Sequence, residues 1–266
     1  MTESLATLQE QAPLALHAFV VLFGLAWGSF LNVVIARLPL GESLVSPRSR
    51  CPACRAQVAW YDNLPLVSYI FLGGRCRGCG VPISFRYPFV EALVGGASLF
   101  SFLRHGPGLE YLVELAFVAS MIALVFIDYD HQILPNAITL PGLVLGLALA
   151  GARESLTFVD ALSGAALGAG LLFAVSEVYF RLRRIEGLGF GDVKMMGMVG
   201  AFVGWKGVLL TLFLGSLSGT LVGVFVLAGR EGSLKTKLPF GTFLGMGAAA
   251  TVYWGRPLIG WYSTLF

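Results

Sequence analysis

Charge is what this sequence has least of. Only 12% of its 266 residues are Asp, Glu, Lys or Arg, against about 25% in an average soluble domain. Apolar residues reach 56%, and the mean hydropathy is +0.79. The combination excludes an ordinary soluble globule, and the apolar share excludes disorder. A net charge of +3 is too small to point to a nucleic-acid partner. Histidine is also scarce, at 3 residues; His17 and His105 have no ligand spacing and read as structural. No glycine fingerprint with a downstream acid marks a dinucleotide-type fold. No basic start opens the chain: Glu3 and Glu10 precede the first apolar run, which argues against a cleavable signal peptide. Nor does an inverted or parallel repeat mark the two halves of a transporter.

Glycine is abundant instead, at 34 residues. Soluble helices avoid it, whereas membrane helices use it where backbones pack closely. Apolar stretches run from Pro13 to Leu38, Pro88 to Leu103, Tyr111 to Ile127, Ile138 to Ala150, Val159 to Phe180, Met195 to Val203, Val208 to Ala228 and Phe240 to Tyr253. The reading is an all-α polytopic membrane protein of about eight spans, the fourth and sixth of them short. Gly164, Gly168 and Gly170, with Ala165, Ala166 and Ala169, offer a small-residue face for helix packing. With the N-terminus outside, all but Arg104, Arg153, Lys206 and Arg256 of the 18 Lys and Arg residues fall on the cytoplasmic side. Arg37, Arg48, Arg230, Lys235 and Lys237 are among those inside. That bias satisfies the positive-inside rule. The organisation expected is a first helix over 1–38, a cytoplasmic loop domain over 39–86 and a membrane core over 87–266.

All 4 cysteines lie in the loop. Cys51 and Cys54 stand in CPAC, and Cys76 and Cys79 in CRGC, giving C-x2-C-x21-C-x2-C. Two such pairs complete a tetrahedral S4 site, and a reducing compartment disfavours disulfides. Structural zinc is the reading, with disulfides or free thiols as its alternatives. Four thiolates leave no open position for catalysis at the metal. Arg50, Arg55, Arg75 and Arg77 would offset the charge of the tetrathiolate.

Ionisable groups in or beside spans are functional candidates. Asp128 ends the third span in FIDYDHQILPN, and Asp192 opens the sixth in GLGFGDVK. Threaded as above, both reach the cytoplasmic membrane face. Two carboxylates that share one site, one ionised and one protonated with water between them, meet the requirement for aspartyl proteolysis. Gly189 and Gly191 would let a substrate backbone approach the carboxylate, and Lys194 would pair with a carboxylate or with the helix environment. Asp130 and His131 read as an interfacial turn. Glu91, Glu114, Glu177 and Asn32 read as interhelical contacts, with substrate orientation as the alternative for the glutamates and a part in the methyl-donor site for Asn32.

Several strings, in order along nearly the whole chain, resemble the type IV prepilin peptidase family, the prepilin leader peptidase/N-methyltransferases. They are GSFLNVVIARLP (28–39), PRSRCPAC (47–54), WYDNLPLVSYIFLGGRCRGCG (60–80), ISFRYPFVE (83–91), DYDHQILPN (128–136) and GLGFGDVK (187–194), with PFGTFLG (239–245) a weaker match. The resemblance implies a GxGD-type membrane aspartyl protease of the bacterial inner membrane. It would remove basic leaders from prepilins or pseudopilins after a glycine, for type IV pili, type II secretion or competence. It places the catalytic pair on Asp128 and Asp192. It also implies N-methylation of the new N-terminus with S-adenosylmethionine, which no sequence feature supports independently. Thr242 departs from the pattern, where the family more often has a proline. The rival class is a proton-coupled transporter that uses the membrane acids as a relay; membrane lipid is a partner in either case.

Overall fold

The computed structural model describes residues 13–184, 188–228 and 239–264. Glu3, Glu10, Gly187, Arg230, Lys235 and Lys237 lie outside the described residues. Among the described residues eight helices follow in order: α1 (Pro13–Arg37), α2 (Val67–Phe71), α3 (Arg86–His105), α4 (Leu109–His131), α5 (Asn136–Ala150), α6 (Phe158–Arg183), α7 (Phe190–Ala228) and α8 (Phe240–Ser263). There are no strands among the described residues, only two isolated bridges, Arg50 with Gln57 and Arg75 with Pro82. Among the described residues, four helices are long and apolar enough to cross a membrane: α1, α4, α6 and α7. Their outward faces carry large apolar side chains such as Phe19, Leu112, Phe173 and Phe225, all exposed. In water that surface would cost about 25 cal/mol per Å²; against lipid it costs nothing.

The chain divides into two compact units, 1–119 and 120–266. In the first, α1 packs on α3. Asn32, read as a helix–helix contact, donates from Nδ2 to the Tyr87 carbonyl at 3.0 Å. The buried Ser98 hydroxyl donates to the Val20 carbonyl and shares a 2.8 Å hydrogen bond with the Tyr111 hydroxyl. Glu114 accepts from Arg104 at 3.0 Å and meets His105 at 2.8 Å, so its role is an ion pair at a helix connection. Glu91 is buried in α3 and accepts the Leu66 N–H at 2.9 Å. Leu66 sits at φ 58° immediately before α2. The membrane glutamate therefore ties the loop to the helix.

The second unit is built around α7, which packs on α6, α8 and α5. Gly204 breaks α7 with φ 71° and ψ 177°, a region an L side chain avoids. The break reverses the chain. Gly191 abuts Leu134, and Leu134 lies against Gly241, while Gly215 lies against Leu244. Both ends of the α7 segment from 191 to 215 thus reach the start of α8. A straight helix of that length would separate them by about 36 Å. Residues 190–203 and 205–228 are therefore two antiparallel passes, as the separate sixth and seventh apolar stretches anticipated. Counting them so, the apolar helical segments among the described residues number eight. Gly164 and Gly168 of α6 lie against the backbone of Gly200 and Met196, whereas nothing faces Gly170. The predicted small-residue face thus supplies a seam from two of its three glycines.

Candidate active site and metal centre

Three elements of the second unit converge at one end: the close of α4, the start of α7 and the start of α8. Asp128 stands one turn before the end of α4 and is 5% exposed; Asp192 stands in the first turn of α7 and is 8% exposed. Buried carboxylates need partners. Asp128 Oδ2 accepts the Thr242 backbone N–H at 2.6 Å and the Thr242 hydroxyl at 3.1 Å. That N–H is one of the orphan donors of the first turn of α8, and the aspartate satisfies it. Asp192 donates its own N–H to the Gly189 carbonyl at 3.1 Å, and the Gly189 amide lies within reach of its carboxylate. The two carboxylates act on each other electrostatically. Leu134 fills the space between their elements, touching Gly241 beside Asp128 and Gly191 beside Asp192.

The glycines divide by what faces them. A Cβ at Gly189 would stand 3.4 Å from Asp192 Oδ2, while one at Gly191 would meet Leu134 at 3.1 Å. At Gly241 it would meet Asp128 Oδ2 at 2.9 Å. Gly241 and Thr242 are the site neighbours that residue reasoning did not single out; the only signal was the departure at 242. Lys194 Nζ donates to Asn136 Oδ1 at 2.8 Å and lies 4.9 Å from the centre of the Phe190 ring. Its partner is an amide, not a carboxylate. Asp130 and Tyr129 are exposed beyond Asp128. Glu177 pairs with Arg181 one turn on, at 2.7 Å, on an exposed face.

The loop cysteines come together. Their four sulfurs lie within 4.8 Å of one another. Cys51 and Cys79 are 3.7 Å apart, and Cys54 and Cys76 are 4.0 Å apart. Thiolates on a tetrahedral ion at about 2.3 Å stand about 3.8 Å apart, so the cluster is sized for a metal. Each pair sits on the same turn: Cys51 N–H bonds the Ala56 carbonyl, and Cys76 N–H bonds the Val81 carbonyl. Four residues after the first cysteine of each pair, Arg55 and Gly80 take φ 58° and 70°. The amides of Cys54 and Ala53 pull the Cys51 thiol down to about 6, which favours the thiolate a metal requires. Of the arginines expected to offset the cluster, Arg77 instead forks onto Asp62, with Nη2 at 2.6 Å and Nε at 2.8 Å. Those bonds hold the Asp62 carboxyl below its ordinary range, against the opposing pull of desolvation.

Together these features define a helical membrane protein with a buried carboxylate pair at one end of its helices and a four-cysteine loop that can hold a metal ion. Comparison with known proteins then fixes the family. Residues 22–105 match the bacterial peptidase A24 N-terminal domain, and residues 115–224 match the type IV leader peptidase family. A relative from Pseudomonas putida is 36% identical, with 95% of each chain covered, and one from Aeromonas hydrophila is 34% identical, with 96% of each covered. A relative from Myxococcus xanthus is 46% identical over 80% of this chain and 64% of its own length, so the chain spans under two thirds of that relative. All three carry the name prepilin leader peptidase/N-methyltransferase. The chain belongs to the type IV leader peptidase family. No solved structure gives a significant match.

Proposed function

We propose that this chain is a membrane aspartyl endopeptidase that cleaves the basic leader from type IV prepilins or pseudopilins and then methylates the new N-terminus. The observation that carries the peptidase reading is the pair of buried acids, Asp128 and Asp192, brought to one end of the helices from α4 and α7. Either carboxylate, ionised, takes a proton from a water poised between them as that water attacks the scissile carbonyl. The other, protonated, gives its proton to the carbonyl oxygen. Collapse of the tetrahedral adduct breaks the C–N bond, and the departing amine takes a proton from the dyad. Thr242 fixes Asp128 throughout, because both of its donors act on a single oxygen.

The site lies at the cytoplasmic face of the inner membrane, with the N-terminus outside. This follows from the distribution of Lys and Arg. A basic leader then stays in the cytoplasm while the apolar stem of the pilin enters the bilayer, and the scissile glycine falls at the boundary. Cys51, Cys54, Cys76 and Cys79 hold a structural zinc ion, which staples a loop too short to fold on its own core. S-adenosylmethionine, when bound, supplies an electrophilic methyl group to the neutral amine that cleavage releases. Neither the fold nor the relatives favour a transporter.

The test is to incubate purified protein with a prepilin and S-adenosylmethionine and to weigh the product N-terminus. Wild type should remove the leader and add one methyl group. Asp128→Asn and Asp192→Asn should each stay folded and leave the prepilin intact. Normal cleavage by either variant would refute the dyad.

A further inference from the structure

A cavity of about 450 Å3 opens in the second unit, and the peptidase reading leaves it without a role. Its volume is within the range for small-molecule sites, about 300–1,000 Å3. It lies at the Gly204 break of α7. Asp192 stands 12 positions before that break, about 18 Å away along the helix, so cavity and carboxylate pair occupy opposite ends of one pass. Three helices build the cavity. Asp160 comes from the first turn of α6, Trp205 and Lys206 from the pass that follows the break, and Arg256 and Ile259 from the second half of α8.

The lining narrows the class of ligand. Ionisable groups among membrane helices ordinarily pair with one another. Here one acid and two bases share a cavity and do not pair: no ion pair joins Asp160 to Lys206 or Arg256 among the described residues. Each is held from elsewhere. The Thr157 hydroxyl donates to Asp160 Oδ2 at 2.7 Å, which leaves Oδ1 to accept. Arg256 Nη2 donates to the Ser155 carbonyl at 2.8 Å, which anchors the guanidinium and leaves its other donors. Lys206 Nζ stands 5.5 Å from the centre of the Trp205 ring, a contact that uses none of its three N–H groups as hydrogen bonds. Opposite charges kept apart in one cavity suit a ligand that carries both signs. A phosphate takes an arginine fork and a lysine point charge, and an ammonium takes the remaining carboxylate. The surroundings belong to a membrane interface. Phe158, Trp205 and Trp261 are exposed, and tryptophan rings settle at headgroup level. Lys206 and Arg256 are also two of the four basic residues that the charge bias leaves outside.

We infer that this cavity is a headgroup site for a zwitterionic phospholipid of the outer leaflet, one that bears a phosphate and a primary ammonium. Arg256 and Lys206 hold the phosphate, and Asp160 holds the ammonium. The leaflet follows from the orientation proposed above; the site itself depends neither on that orientation nor on the peptidase reading. A lipid so placed ties the start of α6 to the break in α7 and the end of α8. The far ends of α7 and α8 carry Asp192 and Thr242.

The test uses the full chain in detergent, stripped of lipid, with dioctanoyl phosphatidylethanolamine as the probe and native mass spectrometry as the readout. Wild type should bind it about tenfold or more tighter than dioctanoyl phosphatidylglycerol, which has the phosphate without the ammonium. It should prefer the lipid by at least as much over glycerophosphoethanolamine, which has the headgroup without the chains. Lys206→Gln and Arg256→Gln should each weaken binding by about tenfold. Asp160→Asn keeps an acceptor for Thr157 and should lose the preference between the two lipids. The unfolding midpoint without lipid reports that each variant is folded. Crosslinking of a diazirine-bearing phosphatidylethanolamine to unsubstituted protein gives a second readout that no misfolded variant affects, and the label should fall within residues 155–160, 203–207 or 251–259. Equal binding of the two lipids by wild type, unchanged affinity in both Lys206→Gln and Arg256→Gln, or label confined to other residues would overturn the assignment. Glycerophosphoethanolamine binding as tightly as the lipid would overturn it too, and would give the site to a soluble phosphate ester.

Discussion

Thr242 offers the sharpest test of how the carboxylate pair is held. Its hydroxyl and its backbone N–H both donate to Asp128 Oδ2, at 3.1 and 2.6 Å. Thr242→Val keeps the shape and removes only the hydroxyl. Thr242→Ser keeps both. A hydrogen bond to a charged group contributes about 1.5–3 kcal/mol, or about 10- to 150-fold in rate when the whole of it is felt in the transition state. Thr242→Val, which loses the longer bond, should therefore cleave prepilin about tenfold more slowly. Thr242→Ser should cleave normally. The assay is the initial rate of leader removal under saturating prepilin, with thermal unfolding measured alongside to confirm a folded core. Wild-type cleavage by Thr242→Val would refute the reasoning, because the carboxylate would then not need the hydroxyl.

Three further outcomes follow from other parts of the molecule. Cys76→Ser should lower bound metal and expose the 39–86 loop to protease, read by elemental analysis and limited proteolysis; full metal content in that variant would argue against a four-sulfur site. Gly200→Val would drive a side chain into the Gly164 backbone of α6. Overpacking of this kind costs about 1–3 kcal/mol, so the unfolding midpoint should drop, whereas Gly170→Ala, which faces nothing within 4 Å, should leave it unchanged. Asp62 has a depressed folded pKa, so its pairing with Arg77 contributes above the ordinary value of 3.8 and is lost only as pH falls through the lower folded value. Wild type should therefore show the same loop proteolysis at pH 5 as at pH 7, while Asp62→Asn should be cut faster at both.

What could be read in the sequence was whatever repeats locally. Hydropathy located the eight apolar segments, including the division of α7 between 203 and 208, because Gly204 interrupts a pattern that each half carries alone. The C-x2-C pairs announced their cluster because each pair closes within one turn. Asp128 and Asp192 stood out because an acid beside an apolar run is costly wherever the chain goes. The partners of those groups were not legible. Thr242 lies 114 positions from Asp128, and nothing local to PFGTFLG tells which acid its N–H will meet. Lys194 has two plausible kinds of partner in sequence, and only the packing of α5 on α7 selects the Asn136 amide. Glu91 read as a contact between helices, and it does meet Ser29 of α1, but its bond to the Leu66 amide of the loop had no local sign.

The separation of Asp128 from Thr242 also bears on how the enzyme is made. A ribosome adds about 5–20 residues per second, so the 114 positions between the two take roughly 6 to 23 s to synthesise. Near the end of that interval α4 and α7 are complete, yet the donors that fix Asp128 have not been translated. The carboxylate pair acquires its final geometry only when the last helix is in place. A nascent chain thus carries both acids through the insertion machinery, among other unfolded and cleavable chains, before it has the means to hold them in working order.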